Sequence, residues 1–262
     1  MAKSNYSYED ILEALDRIGI SEGDTIFLHT NIGFFGRMEN AKTADELCGK
    51  FFAALKEKVG EGGNLVVPTF SYSFCHQEHY DPLTTSTTCG MFSEYVRKQE
   101  GVIRSLDPNF SIAAWGKLAE YYTENPAHES FGKGSFWERF LKEKGKIVCM
   151  NMDCGSTFVH YVENCNQVSY RYNKAFNGIL TDAEGKEKRD YFVHYVYDMD
   201  KPEDGPYFPR LHEKYKDSGL CKEAELGKGI MRSMKAEEYY KFISDTLQTE
   251  PRFLTIGGDI IE

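Results

Sequence analysis

Lys146-Ile147-Val148-Cys149-Met150, Asn151-Met152-Asp153-Cys154-Gly155-Ser156-Thr157 and Phe158-Val159-His160-Tyr161-Val162-Glu163 follow one another without a break. The first piece is a lysine and a short apolar run, the signature of a buried strand. In the second, Gly155 and Ser156 supply a turn and a candidate N-cap. From Thr157 onward, apolar and aromatic residues recur at helical spacing. A strand that runs into a helix sets the helix's first turn at the end of a sheet, where clefts of α/β proteins open. His160 and Glu163 are three apart and share one helix face. A carboxylate beside an imidazole fixes its tautomer and favours its charged form, which is the equipment of a general base. The same spacing also describes a plain surface ion pair or two metal ligands. The usual metalloprotease helix carries two His, and this one carries one. The dyad reading therefore needs support from the rest of the chain.

With 262 residues, 41% of them hydrophobic, the chain can bury one large core or two small ones. Acidic residues outnumber basic ones, 41 to 31, for a net charge of −10, so no basic face for nucleic acid is expected. No apolar run reaches the 18 or so residues of a membrane span. The first ten residues hold no hydrophobic signal core, so the expected compartment is the cytoplasm. Seven cysteines with no Cys-x-x-Cys pair point to reduced thiols rather than a disulfide framework.

Outward from the organising stretch, strands and helices alternate. Ser7 and Asp10 frame a capping box ahead of an apolar stripe of Ile11, Leu12, Leu15 and Ile18, and Thr43 and Glu46 frame another. Core strands are expected at 25–29, 64–69 and 111–115. Helices are expected at 43–59, 90–99, 117–122, 135–144, 207–216 and 235–247. The first strand runs into Thr30-Asn31-Ile32-Gly33-Phe34-Phe35-Gly36-Arg37, whose glycines let backbone approach a ligand. Neither a Walker loop nor Gly-x-Gly-x-x-Gly is present. Residues 70–88 form a polar, aromatic loop lining the cleft. Its Cys75, His76 and His79 lack a fourth ligand at a usual zinc spacing. Alternating patterns at 176–181 and 189–197, joined by 182–185, predict a β-hairpin, and 223–226 with 229–233 predict a last strand pair.

Several of these segments, in this order, resemble the aminoglycoside 3-N-acetyltransferases and their wider antibiotic N-acetyltransferase-like superfamily. They are Gly23-Asp24-Thr25 through His29-Thr30-Asn31, Pro68-Thr69-Phe70, and Arg104-Ser105 through Asp107-Pro108 to Ser111. Phe131-Gly132-Lys133-Gly134-Ser135, Thr157-x-x-His160-x-x-Glu163 and Gly229-x-x-Arg232-Ser233-Met234 complete the set. Together they run from about Leu12 to Pro251. The resemblance implies a three-layer α/β/α fold with a mixed central sheet and a C-terminal hairpin and helix lid region, distinct from the GNAT fold. It makes 1–262 a single acetyltransferase domain, with 170–220 as an acceptor-side lid. It implies acetyl-CoA as donor, no metal, and a small-molecule amine acceptor, in chemical terms an aminoglycoside or other amino sugar.

The family's catalytic pair carries over onto His160 and Glu163, with direct attack of the amine on the thioester. Its donor-side loops carry over onto Thr30, Asn31, Thr69, Ser105 and Ser111. Arg37, Arg104 and Lys133 are candidates for the CoA phosphates, and Thr69 and Ser111 for oxyanion donors. Two positions depart from the pattern. Asp107 stands where many relatives have His, and Ser156 stands where an acidic or amide residue is common. Two other functions compete: a metal-dependent hydrolase using His160, Glu163 and the Cys75/His76/His79 cluster, and a non-catalytic CoA-binding protein. Within the enzyme reading, Cys154 is a rival nucleophile.

Overall fold

Three apolar runs make the centre of the sheet, and their neighbours follow from the connections between them. The computed structural model describes residues 4–182 and 184–258. In chain order the elements are α1 (Tyr8–Arg17), β1 (Thr25–Thr30), α2 (Ala44–Val59), β2 (Asn64–Pro68), α3 (Met91–Val96), β3 (Ile103–Arg104), β4 (Ile112–Gly116), α4 (Ala119–Thr123) and α5 (Phe136–Lys142). They continue with β5 (Lys146–Met150), α6 (Phe158–Cys165), β6 (Arg171–Thr181), β7 (Glu187–Tyr197), α7 (Pro209–Asp217), β8 (Lys222–Leu226), β9 (Gly229–Lys235) and α8 (Ala236–Thr249).

The main sheet has seven strands in the order β3-β4-β2-β1-β5-β9-β8. β1 lies parallel to both β2 and β5, and the outer pairings are antiparallel. The sheet is therefore mixed. Successive side chains of a strand point to opposite faces, and two cores result. Ile26, Leu28, Leu65, Val67, Val148 and Met150 pack with α1, α2 and α3. Phe27, Val66, Ile147 and Cys149 pack with the buried faces of α4 to α8, including Trp137, Phe140, Phe158 and Tyr239. This is the expected three-layer α/β/α arrangement. Each buried aromatic or branched side chain contributes about 1.5–3 kcal/mol. Both capping boxes form: Ser7 with Asp10, and Thr43 with Glu46, each worth about 1 kcal/mol.

β6 and β7 form a separate two-stranded sheet. The hairpin is longer than the alternation over 176–181 and 189–197 predicts. Its first strand starts at Arg171, where Tyr172, Asn173 and Lys174 are all exposed and no alternation is visible. Of its expected turn at 182–185, Ala183 lies outside the described residues; Asp182 N–H donates to the Lys186 carbonyl at 3.0 Å. The hairpin docks on the 70–88 loop through Phe74, Tyr80, Leu180 and Phe192. A Cβ at Gly178 would stand 2.4 Å from the Phe74 ring, so the strand can come this close only with glycine there. No described helix is long and apolar enough to cross a membrane.

Candidate active site

The parallel strands β1 and β5 end side by side at Thr30 and Met150. Beyond β5, Asn151 takes a left-handed conformation, φ 53°, which asparagine tolerates. Its N–H and side-chain carbonyl both bind Ile230, at 2.9 and 3.1 Å. The chain then turns through Gly155 into α6. A Cβ on Gly155 would meet Asp153 at 2.8 Å and the Phe208 ring at 3.0 Å. The N-cap position is Thr157, which makes no side-chain cap bond. Ser156 takes that role instead, its Oγ accepting from Phe158 N–H at 3.3 Å.

One turn into α6, His160 Nδ1 lies 2.6 Å from Oε2 of Glu163. The Glu163 side chain is 1% exposed and that of His160 is 16% exposed. Three groups hold the carboxylate. Besides His160, Arg171 Nε lies 2.7 Å from Oε2, and the Tyr170 hydroxyl donates to Oε1 at 3.0 Å. Burial pushes the Glu163 pKa up, but His160 and Arg171 outweigh it and hold the carboxyl below its ordinary value. His160 is held below its own ordinary value, first by burial and then by Arg171, against the pull of Glu163. An ionised carboxylate accepts only, so Nδ1 carries the proton. Nε2 keeps its lone pair and makes no hydrogen bond among the described residues. The ring is edge-on to Phe131 at 5.3 Å and tilted against Phe208 at 6.2 Å.

A second histidine ties β1 to this helix. His29 Nε2 accepts from Thr157 N–H at 3.3 Å and lies 2.9 Å from Ser156 Oγ. Because the backbone can only donate, Nε2 is the unprotonated nitrogen and Ser156 donates to it. Burial pushes the His29 pKa down to about 4, and nearby Asp153 opposes that shift. Ser156, the departure from the family pattern, is thus matched to a neutral imidazole.

The sequence-expected donor-side residues fall into two groups. Thr30 ends β1, and Asn31 and Arg37 follow it. Asn31 is exposed, its N–H donating to Met150 O at 2.8 Å. Arg37 is exposed and makes no ion pair among the described residues. Thr69, Arg104, Ser105 and Ser111 are instead buried together. Arg104 donates to the Thr69 carbonyl at 2.6 Å, to Thr69 Oγ1 at 3.1 Å, to Ser111 Oγ at 3.2 Å and to the Thr85 carbonyl. It thereby pins the 70–88 loop to the sheet. The Ser111 hydroxyl donates to the Thr69 carbonyl at 2.6 Å, and the Thr69 hydroxyl donates to Ser111. Ser105 Oγ accepts from Ile112 N–H at 3.0 Å. Asp107 accepts from the Asn109 and Phe110 N–H groups, both at 2.9 Å, and so shapes the same loop.

Cys154 is buried with its sulfur 3.7 Å from Cys221 and 3.2 Å from His212 Nδ1. The contact with Cys221, then burial, push its thiol pKa up, which disfavours the thiolate a nucleophile needs. In the 70–88 loop, His79 lies 3.0 Å from Thr181 Oγ1 and holds the hairpin rather than a neighbouring Cys75 or His76. No group of three or more His, Cys, Asp or Glu is placed to hold a metal ion among the described residues. Sequence reading missed the residues that grip Glu163. Tyr170 and Arg171 sit at the start of a strand whose next residues are polar and exposed, and nothing in that pattern marks them as buried.

A mixed three-layer α/β/α body with a buried His-Glu pair on the helix after a central strand describes a class of fold and site. The chain belongs to the aminoglycoside 3-N-acetyltransferase family, whose model matches residues 27–248. Aminoglycoside N(3)-acetyltransferase III from Salmonella sp is 29% identical over 182 residues, 60% of this chain and 60% of that one. The chain thus spans about three fifths of the length of the curated relatives it matches. Among solved structures, AAC-VIa bound to sisomicin superposes with a TM-score of 0.80 at 21% identity, covering 93% of this chain and 98% of that one. AAC-IIIb in binary complex with CoASH gives 0.78 at 20% identity, covering 93% and 96%. At these identities the two structures speak for the shared fold.

Proposed function

We propose that the chain transfers an acetyl group from acetyl-CoA to an amine of an aminoglycoside or other amino-sugar acceptor. The observation that carries the reading is the 2.6 Å contact between His160 Nδ1 and a sealed Glu163, with Nε2 making no hydrogen bond among the described residues. In this reading the amine attacks the thioester carbonyl directly, and His160 Nε2 takes the amine proton as the C–N bond forms. The tetrahedral adduct then breaks its C–S bond, and the CoA thiolate leaves and takes that proton back from the His160 imidazolium. Glu163 orients the ring and stabilises the imidazolium, while Tyr170 and Arg171 keep the carboxylate in place. Such base help is worth roughly a hundredfold to ten-thousandfold, and holding amine and thioester together contributes further.

The donor is placed along the end of β1. Thr30 and Asn31 flank the thioester arm there, and the exposed Arg37 and Lys133 offer charge to the CoA phosphates. The Thr69, Arg104, Ser105 and Ser111 network serves as the floor under that arm, since its side-chain donors are already engaged within the protein. The β6–β7 hairpin and the segment to residue 220 form the acceptor side. The cytoplasm, where acetyl-CoA is available, is the compartment that suits this chemistry.

The test is thiol release from acetyl-CoA by the purified protein with sisomicin, gentamicin and glucosamine as acceptors. Acceptor-dependent release that disappears in His160→Ala supports the reading. No acceptor-dependent release with tight CoA binding would favour a non-catalytic CoA-binding protein.

A further inference from the structure

We propose that His194 is an acceptor-positioning residue, offering a ring nitrogen to a hydroxyl or second amine that neighbours the reacting amine. This rests on the acetyltransfer reading above. His194 lies on β7, in the part of the hairpin where Lys174 is its cross-strand partner. Its ring is edge-on to Phe110 at 4.5 Å, and it lies 6.1 Å from Phe131 and 6.3 Å from Phe176. Phe131 is the same ring that His160 meets at 5.3 Å. One aromatic side chain therefore lies against both imidazoles.

Aromatic rings surround His194, yet neither of its nitrogens makes a hydrogen bond among the described residues. Nor are those nitrogens among the sealed, unpartnered polar atoms of the interior. The ring is only partly buried, so its nitrogens can still take a partner from outside the protein. A neutral imidazole has one donor and one acceptor to satisfy. Burial, with His160 and Arg171 adding, pushes its pKa down to about 3, so it meets the acceptor uncharged. A hydroxyl or an amine can pair with such a ring, and an amino sugar carries both close to any one amine.

Three variants separate hydrogen bonding from packing. His194→Phe keeps an aromatic ring against Phe110 and Phe131 and loses the nitrogens. His194→Gln keeps a donor and an acceptor and loses the ring, and His194→Ala loses both. With sisomicin and glucosamine, His194→Phe is expected to lose about tenfold in kcat/KM for the acceptor, mostly through KM, as a missing polar partner does. His194→Gln is expected to retain most of it, and KM for acetyl-CoA is expected to stay unchanged in all three. Calorimetry with the same two compounds repeats the comparison without turnover. His194→Phe matching the wild type, or exceeding His194→Gln, overturns the inference. Full turnover in His160→Ala would overturn the dyad alone, because the comparison of Phe with Gln at 194 still reads acceptor binding. Neither binding nor turnover of either compound by the wild type overturns the amino-sugar reading and this inference with it.

Discussion

His160 and Glu163 touch at 2.6 Å, with the carboxylate sealed from solvent and the imidazole partly exposed. Each residue answers a problem posed by the other. A buried carboxylate without partners would be protonated or would destabilise the fold. A cleft imidazole without a partner would not be held in one tautomer. Burial does most to lower the His160 pKa, and next comes Arg171. It neutralises Glu163, so His160 is pulled up less than a lone Glu-His pair would be, and the base stays neutral at ordinary pH.

His160→Ala is expected to lower turnover by roughly a hundredfold or more, with CoA affinity nearly intact, because the proton leaves only in the transition state. Glu163→Gln should cost less, since an amide can still accept from Nδ1. The double variant should be little worse than His160→Ala, because the two act as one unit. Steady-state kinetics with a verified acceptor, alongside calorimetry with CoA, checks all three.

The pH profile follows from the direction of the His160 shift. A general base works deprotonated, so the rate rises with pH through its pKa. That limb is expected below the ordinary imidazole value of about 6.5. Arg171→Met removes the cation that lowers the His160 pKa and leaves Glu163 to raise it, so the limb should move to higher pH. Breaking a buried pair this way should also cost about 3–5 kcal/mol of stability. Rate profiles and urea unfolding of wild type and variant report the two effects separately. A limb that stays in place would deny His160 the role of base.

His29 makes stability itself depend on pH. Its folded pKa, about 4, is depressed below the unfolded value of about 6.5. The unfolded chain therefore binds a proton that the folded chain refuses, and stability falls as pH drops from about 6.5 to 4. The residue is only half-buried, so the loss is expected to be about 1–3 kcal/mol rather than the full shift. In His29→Gln, Tm should fall less steeply across that window, and thermal melts from pH 7 to 4 check it. An unchanged slope would mean that the ring titrates as freely in the fold as outside it.

Much of this arrangement could be read in the residues themselves. The capping boxes at Ser7 and Thr43, the apolar runs of β1, β2 and β5, and the i, i+3 spacing of His160 and Glu163 are local signals. The structure needed only to place them together. What stayed hidden is non-local. Tyr170 and Arg171 reach Glu163 from outside α6, in a segment whose next residues are exposed. The pairing of His29 with Ser156 and Thr157 joins positions 127 and 128 residues apart. Arg104 read as a candidate for the CoA phosphates or an ordinary surface charge, and sequence does not show that the Thr69 and Thr85 carbonyls would enclose it.

Arg37 and Arg104 therefore make opposed predictions. Arg37 is exposed and makes no ion pair among the described residues. Arg37→Ala should weaken CoA binding while leaving unfolding by urea nearly unchanged, as surface substitutions usually do. The weakening should shrink as salt rises, since a solvent-exposed contact with phosphate is screened. It should also shrink with a CoA analogue lacking the 3′-phosphate, if that is the group contacted. Arg104→Met removes the guanidinium donors from a buried set of carbonyls and hydroxyls, leaving the bonds between Thr69 and Ser111 but taking a charged partner from each acceptor. Each charged hydrogen bond there is worth about 1.5–3 kcal/mol, so the loss should appear first as stability and as loosening of the 70–88 loop. Calorimetry with CoA at two salt concentrations and urea unfolding, run on both variants, give four results. The assignment of Arg37 to the donor fails if its removal leaves CoA affinity and its salt dependence as they were. The assignment of Arg104 to the scaffold fails if its removal costs CoA affinity but no stability.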